Sequence, residues 1–205
     1  MIAKLAGLCV LAYLAGSIPF GYLIGRLAYG KDIRKIGSGN IGFANVTRTF
    51  GWLAGMVTLV GDVGKGLGPV LLARCFFGES WQPILTGFFA ILGAVFSLCL
   101  GFKGGKGVGT SAGVFAGLAP IPFLWALSGY LLVLSIFRYS SLGSLTGAVI
   151  LPLALLLQKT VRGGTDPYGG TVIVAMVASL LIIWLHRGNI RRIAAGTERK
   201  LTHDK

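Results

Sequence analysis

Val108-Gly-Thr-Ser-Ala-Gly-Val-Phe-Ala-Gly-Leu-Ala-Pro-Ile-Pro-Phe-Leu-Trp-Ala-Leu-Ser-Gly-Tyr-Leu-Leu-Val-Leu-Ser-Ile-Phe137 is a long, largely apolar run broken by Pro120 and Pro122. As a single helix it would be about 45 Å long and overshoot a hydrocarbon core of roughly 30 Å. Proline removes a backbone donor and disrupts the preceding turn, so the two prolines mark the natural break. We therefore divide the run into two short, tilted spans. That division fixes the parity of the chain, and with it the side of the membrane on which each loop lies.

The composition supports a membrane reading. Of 205 residues, 54% are hydrophobic and 12% charged, whereas a soluble domain carries about 25% charged residues. Moving outward from the central run, a glycine-rich segment, Gly101-Phe-Lys-Gly-Gly-Lys-Gly-Val-Gly-Thr110, precedes it. Apolar stretches at Ala3–Gly25, Trp52–Cys75, Pro83–Leu100, Leu145–Leu157 and Tyr168–Leu185 complete the set. The first lacks a small-residue cleavage site leading into a soluble domain, so it reads as a span rather than a signal peptide. The expected fold is all-α: a polytopic membrane protein forming a single bundle of about seven transmembrane helices, one domain over residues 1–205. Many of the 33 glycines lie within spans, which favours close helix packing.

The net charge is +13, from 19 Lys+Arg against 6 acids. On a soluble chain this would suggest nucleic acid. Here the basic residues concentrate in short loops and the tail, which points to topology and anionic substrates. With seven spans and the carboxyl tail inside, 14 of the 19 fall on the cytoplasmic side. Lys4, Arg74, Lys159 and Arg162 fall opposite, and Lys65 lies within a span. Cys9, Cys75 and Cys99 are an odd set without metal spacing, which argues against a disulfide framework or a zinc site.

Four polar groups carry candidate chemistry. Ile36-Gly-Ser-Gly-Asn-Ile-Gly-Phe-Ala-Asn-Val-Thr-Arg-Thr-Phe50 is rich in hydroxyl and amide donors beside the bilayer. Its Gly37-Ser-Gly-Asn-Ile-Gly42 matches G-x-G-x-x-G literally, but a membrane span precedes it where a dinucleotide fold needs a strand. Glycine backbones can turn N–H groups toward an anion, so Gly37, Ser38, Gly39, Asn40, Asn45 and Arg48 are candidate phosphate ligands; a plain interhelical turn is the simpler alternative. In the second segment Lys106 is followed by Gly107, so it is not a Walker A loop. Gly104, Gly105 and Gly107 can nevertheless expose amides beside the point charge of Lys106. Asp62 and Lys65 share a helix face and either neutralise each other or support a site. His186 and Asn189 are likewise three apart, at the end of the last span, with Glu198 in the tail beyond.

Taken together, these motifs resemble the bacterial acyl-phosphate:glycerol-3-phosphate acyltransferase family over nearly the whole chain. The resemblance is carried by Gly37-Ser-Gly-Asn40, Asn45-Val46, Arg48-Thr49, Asp62 with Lys65-Gly66, and Gly101-Phe-Lys-Gly-Gly-Lys-Gly-Val108. Ser140-Ser-Leu142, His186-Arg-Gly-Asn189 and Gly196-Thr-Glu198 complete it. The chain departs from the usual family pattern at Ile41, Phe43 and Ala44, and at Ala94 and Ser97 before the second segment. The resemblance implies an enzyme that transfers a fatty acyl group from acyl phosphate to the 1-hydroxyl of sn-glycerol 3-phosphate, giving lysophosphatidic acid and phosphate. It implies Ser38, Arg48, Lys106, His186 and Asn189 as catalytic residues, with no cofactor and no metal. It also implies membrane lipids and an enzyme supplying acyl phosphate as partners, without nucleic acid. The location implied is the bacterial cytoplasmic (inner) membrane, with the site and carboxyl terminus facing the cytoplasm. A small transporter of an organic phosphate is the competing class, supported by the intramembrane Asp62 and Lys65. A lipid-binding scaffold is a third, which leaves two separate phosphate-type turns unexplained.

Overall fold

A computed structural model describes residues 1–79, 81–162 and 169–201. The described residues are helical, without strands. In order, the helices are α1 (Ile2–Ser17), α2 (Phe20–Tyr29), α3 (Phe43–Phe50), α4 (Trp52–Phe77) and α5 (Trp81–Val95). They continue with α6 (Val108–Leu118), α7 (Pro120–Phe137), α8 (Ser140–Arg162), α9 (Gly169–Leu185) and α10 (Arg187–Ala194). Short 3-10 turns occupy Ile33–Lys35 and Leu98–Leu100. Of the expected Lys159–Pro167 turn, residues 163–167 lie outside the described residues, as do Tyr168, His203 and Lys205.

Among the described residues, four helical stretches can cross a membrane by length and composition: Trp52–Phe77, Trp81–Leu100, Pro120–Phe137 and Ser140–Val161. Two bent pairs can each form one further span: α1 with α2, bent by 43°, and α9 with α10, bent by 56°. The central run divides at Ala119, with Pro120 opening α7 at a position where its missing donor costs nothing. Its first half, α6, has 11 residues, about 16 Å, shorter than a hydrocarbon core of roughly 30 Å. The expected first span is also broken. Ile18 precedes Pro19, is pushed out of the helical region and adopts φ −64°, ψ 117°.

The chain divides into two compact units, Met1–Val114 and Phe115–Leu201. In the first, α1 crosses α5, while α4 packs on α1, α3 and α5. A side chain at Gly16 would strike the Ala90 carbonyl, and one at Gly93 would strike that of Tyr13, so the α1–α5 crossing requires glycine on both helices. A small core of Ile33, Ile41, Val46 and Ala54 lies beneath the first glycine stretch, flanked by Tyr22, Ile24, Phe50 and Leu100. In the second unit α7 and α8 form an antiparallel hairpin and α9 packs on α8.

Candidate active site

The first glycine stretch links the 3-10 turn Ile33–Lys35 to α3. Its conformation is set by one buried side chain, Asn45 (2% exposed). Asn45 Oδ1 accepts from the Ser38 amide at 2.9 Å. Its Nδ2 donates to the carbonyls of Asn40 at 2.9 Å, Ile36 at 3.0 Å and, more weakly, Ile33 at 3.4 Å. The Gly39 amide donates to Ile36 O at 3.0 Å, and both Gly37 and Gly39 have positive φ. Against the expectation of outward-turned amides, those of Ser38 and Gly39 are engaged inside the protein, and Asn45 braces the loop. Ser38 itself is exposed. Arg48 sits in the last turn of α3, half-buried. Two departures from the family pattern find packing roles: Ile41 joins the small core, and Phe43 meets Trp52 edge-on at 5.7 Å.

The second glycine stretch closes the end of α5. Gly104 N donates to Val95 O and Gly105 N to Ala94 O, both at 3.0 Å, so these amides cap helix carbonyls rather than facing outward. A side chain on Gly104 would collide with the Ala94 carbonyl. Gly107 is buried with φ 74°, and α6 starts at the next residue. Lys106, immediately before that turn, is half-buried. The structure brings the two glycine stretches together: a methyl group added at Gly105 would lie 3.4 Å from the Ile41 side chain and 3.7 Å from Asn40 Oδ1. In the same unit Lys65 Nζ and Asp62 Oδ1 form an ion pair at 2.7 Å.

In the second unit, His186 is the N-cap of α10 and 3% exposed. Its Nδ1 lies 2.8 Å from Ile182 O. A carbonyl can only accept, so the bond puts the proton on Nδ1 and makes Nε2 the basic nitrogen of the neutral ring. One turn on, Asn189 Nδ2 donates to Glu198 Oε1 at 2.6 Å. Ser141 Oγ donates to the same oxygen at 2.7 Å, and Arg192 Nε to Oε2 at 2.8 Å. The carboxylate is 4% exposed. Burial by itself would raise its pKa, but the hydrogen bonds from Ser141, Asn189 and Arg192 prevail and hold it below the ordinary value. Glu198 thus fixes the rotamer of Asn189 and ties the tail to the start of α8.

Sequence reasoning missed two polar groups. Asp32 caps the first 3-10 turn and accepts from Arg34 N, Nε and a terminal guanidinium nitrogen, and from Arg26 at 3.1 Å. The Arg34 hydrogen bond holds the Asp32 carboxyl well below its usual range. An acid inside a basic run was the available signal. Ser141 was quoted only as part of a motif; no spacing rule links it to Glu198, 57 residues away.

Apolar helices long enough to cross a membrane, with basic glycine turns in the first unit and a buried imidazole beside a braced amide in the second, mark an integral membrane protein. The glycerol-3-phosphate acyltransferase family model matches residues 6–196. The glycerol-3-phosphate acyltransferase of Geobacter metallireducens is 49% identical over 169 residues, covering 82% of this chain and 84% of the relative. That of Parasynechococcus marenigrum is 44% identical, covering 83% and 77%. The crystal structure of PlsY (YgiH), an integral membrane glycerol 3-phosphate acyltransferase, in its glycerol 3-phosphate form superposes with a TM-score of 0.86 at 38% identity, covering 96% of this chain and 95% of that one. The chain belongs to the glycerol-3-phosphate acyltransferase family.

Proposed function

We propose that this enzyme transfers a fatty acyl group from acyl phosphate to the 1-hydroxyl of sn-glycerol 3-phosphate, releasing lysophosphatidic acid and inorganic phosphate. The observation that carries the acceptor and product is the similarity to PlsY, whose structures include a glycerol 3-phosphate form and a lysophosphatidic acid form. The basic side chains at Arg48 and Lys106 support the donor: a reaction that expels phosphate gains from cations held where that negative charge develops.

Ser38 and Arg48 hold one phosphate, and Lys106 the other, that of glycerol phosphate. The glycine stretches contribute by bringing these side chains to a fixed, closely packed backbone. Asn189, braced by Glu198, orients the acceptor. The 1-hydroxyl gives its proton to Nε2 of His186, its oxygen bonds to the acyl carbon, and the bond from that carbon to the phosphate oxygen breaks. Donor tail and product are lipidic while acceptor and phosphate are water-soluble, so the site belongs at an interface. We assign it, with the carboxyl tail, to the cytoplasmic side of a bacterial inner membrane, the acyl phosphate being made by a separate enzyme.

Detergent-solubilised protein incubated with palmitoyl phosphate and glycerol 3-phosphate is expected to yield lysophosphatidic acid and one equivalent of phosphate by mass spectrometry and phosphate assay. Acylation from a thioester donor, with none from palmitoyl phosphate, would overturn the donor assignment. His186→Gln should lose most turnover while remaining folded; wild-type rates would remove His186 from the chemistry. Transfer is direct, so labelled acyl phosphate without acceptor should leave no label on Ser38.

A further inference from the structure

A polar cluster outside these groups lies in the first unit, where α1 ends and α2 begins. The carbonyls of Ser17 and Ile18 lose their helical partners at the Pro19 break, in surroundings where unsatisfied backbone groups are costly. Both are satisfied from a distance. Ser97 Oγ, at the root of the second glycine stretch, donates to Ser17 O at 2.6 Å. Lys65 Nζ, from the middle of α4, donates to Ile18 O at 2.9 Å. The Lys65 side chain is 6% exposed, and its charge is balanced by Asp62.

Asp62 also backs directly onto α6. A methyl group on Gly109 would lie 2.9 Å from Asp62 Cβ, and further side chains at Gly66 and Gly113 would strike the carbonyls of Thr110 and Val63. Around this pair, α4 and the start of α6 therefore meet backbone to backbone, three residues after Lys106. On the other side of the break, Gly21 of α2 leaves room only for the Ile41 carbonyl, so the direction of α2 determines where the first glycine stretch is seated.

We infer that Lys65, neutralised by Asp62, is a positioning residue for acyl transfer: it ties the α1–α2 break, which seats the first glycine stretch, to the start of α6, which follows Lys106. This rests on the acyl-transfer reading above. An ion pair serving stability alone is the competing account, and the two differ in what its apolar replacement does. Replacing a buried pair by apolar residues of similar size is often neutral or stabilising, yet it removes the donor to Ile18 O.

The test is steady-state kinetics of wild type, Lys65→Arg and the double variant Asp62→Leu/Lys65→Met in detergent, with thermal unfolding alongside. The double variant should stay folded, with KM for glycerol 3-phosphate raised about tenfold, a much smaller change in kcat and an unchanged KM for acyl phosphate. Lys65→Arg, which keeps the charge and the donor, should retain most of the wild-type affinity. Wild-type kinetics in a folded double variant would overturn the inference while leaving the acyl-transfer reading intact. Should the double variant not fold, Asp62→Asn/Lys65→Met, which also removes the donor to Ile18 O and keeps a polar side chain at position 62, decides: the same selective rise supports the tie, and wild-type KM overturns it. Wild type that forms no product from either donor overturns the acyl-transfer reading and this inference with it.

Discussion

Asn45 shows how a single buried side chain can hold a glycine-rich loop in one conformation. Its amide spans four backbone groups, on Ser38, Ile33, Ile36 and Asn40. Ile36 O and Ile33 O also accept from the amides of Gly39 and Ile36, so Asn45→Ala would strip the Ser38 amide and the Asn40 carbonyl of these bonds and should destabilise the protein by about 2 kcal/mol, read as a lower midpoint of thermal unfolding, with loss of activity. In the sequence this asparagine looked like a phosphate ligand, because a glycine-rich setting with amides and hydroxyls has the same composition whether the amide faces in or out. Ser38 and Arg48 stood out for the same compositional reason; Ser38 is exposed on the loop and Arg48 half-buried in the last turn of α3. Glu198 allows a test in pH. Its native pKa is lowered from an ordinary 4.5, so its carboxylate stabilises the fold above that value, and the contribution fades as pH falls through 4.5 toward the lower native value. The stability gap between wild type and Glu198→Gln should therefore be full at neutral pH and narrow steadily below 4.5 in thermal unfolding.

At the scale of elements, prolines and glycines did most of the organising, and they were legible unequally. The break before Pro120 was readable because the run containing it was too long for one span. The break at Pro19 was hidden because Ala3–Gly25 has the length of one ordinary span, so nothing in its length called for a break. What the sequence could not reveal was which glycines face another helix. Gly93 meets the Tyr13 carbonyl across the α1–α5 crossing, whereas Gly7, on the same α1, has nothing within 4 Å of an added side chain. Gly93→Ala must push the helices apart and should lower stability by about 2 kcal/mol. Gly7→Ala should leave it unchanged or raise it by about 0.5 kcal/mol through helix propensity. Thermal unfolding of the two variants side by side checks the contrast, and equal midpoints would show that the crossing is less tight than this.

For the whole molecule, orientation in the membrane is the property on which the proposed chemistry depends, since the acceptor must come from the aqueous compartment that supplies it and phosphate must leave to water. In the orientation proposed above, which the bias of basic residues supports, Arg74 lies on the outer side and Lys103 and Lys106 on the inner side. The chain's own cysteines report on both faces. Cys75 lies next to Arg74 near the end of α4, Cys99 lies four residues before Lys103, and both are exposed, whereas Cys9 is buried. A thiolate reacts with a maleimide only where water reaches it, so a membrane-impermeant maleimide should label Cys75 in intact spheroplasts and spare Cys99. In inverted vesicles the preference should reverse, with Cys75→Ser and Cys99→Ser variants assigning each signal. Labelling of Cys99 from outside would put the second glycine stretch, and the proposed entry of glycerol 3-phosphate, on the wrong side of the membrane for a cytoplasmic acceptor.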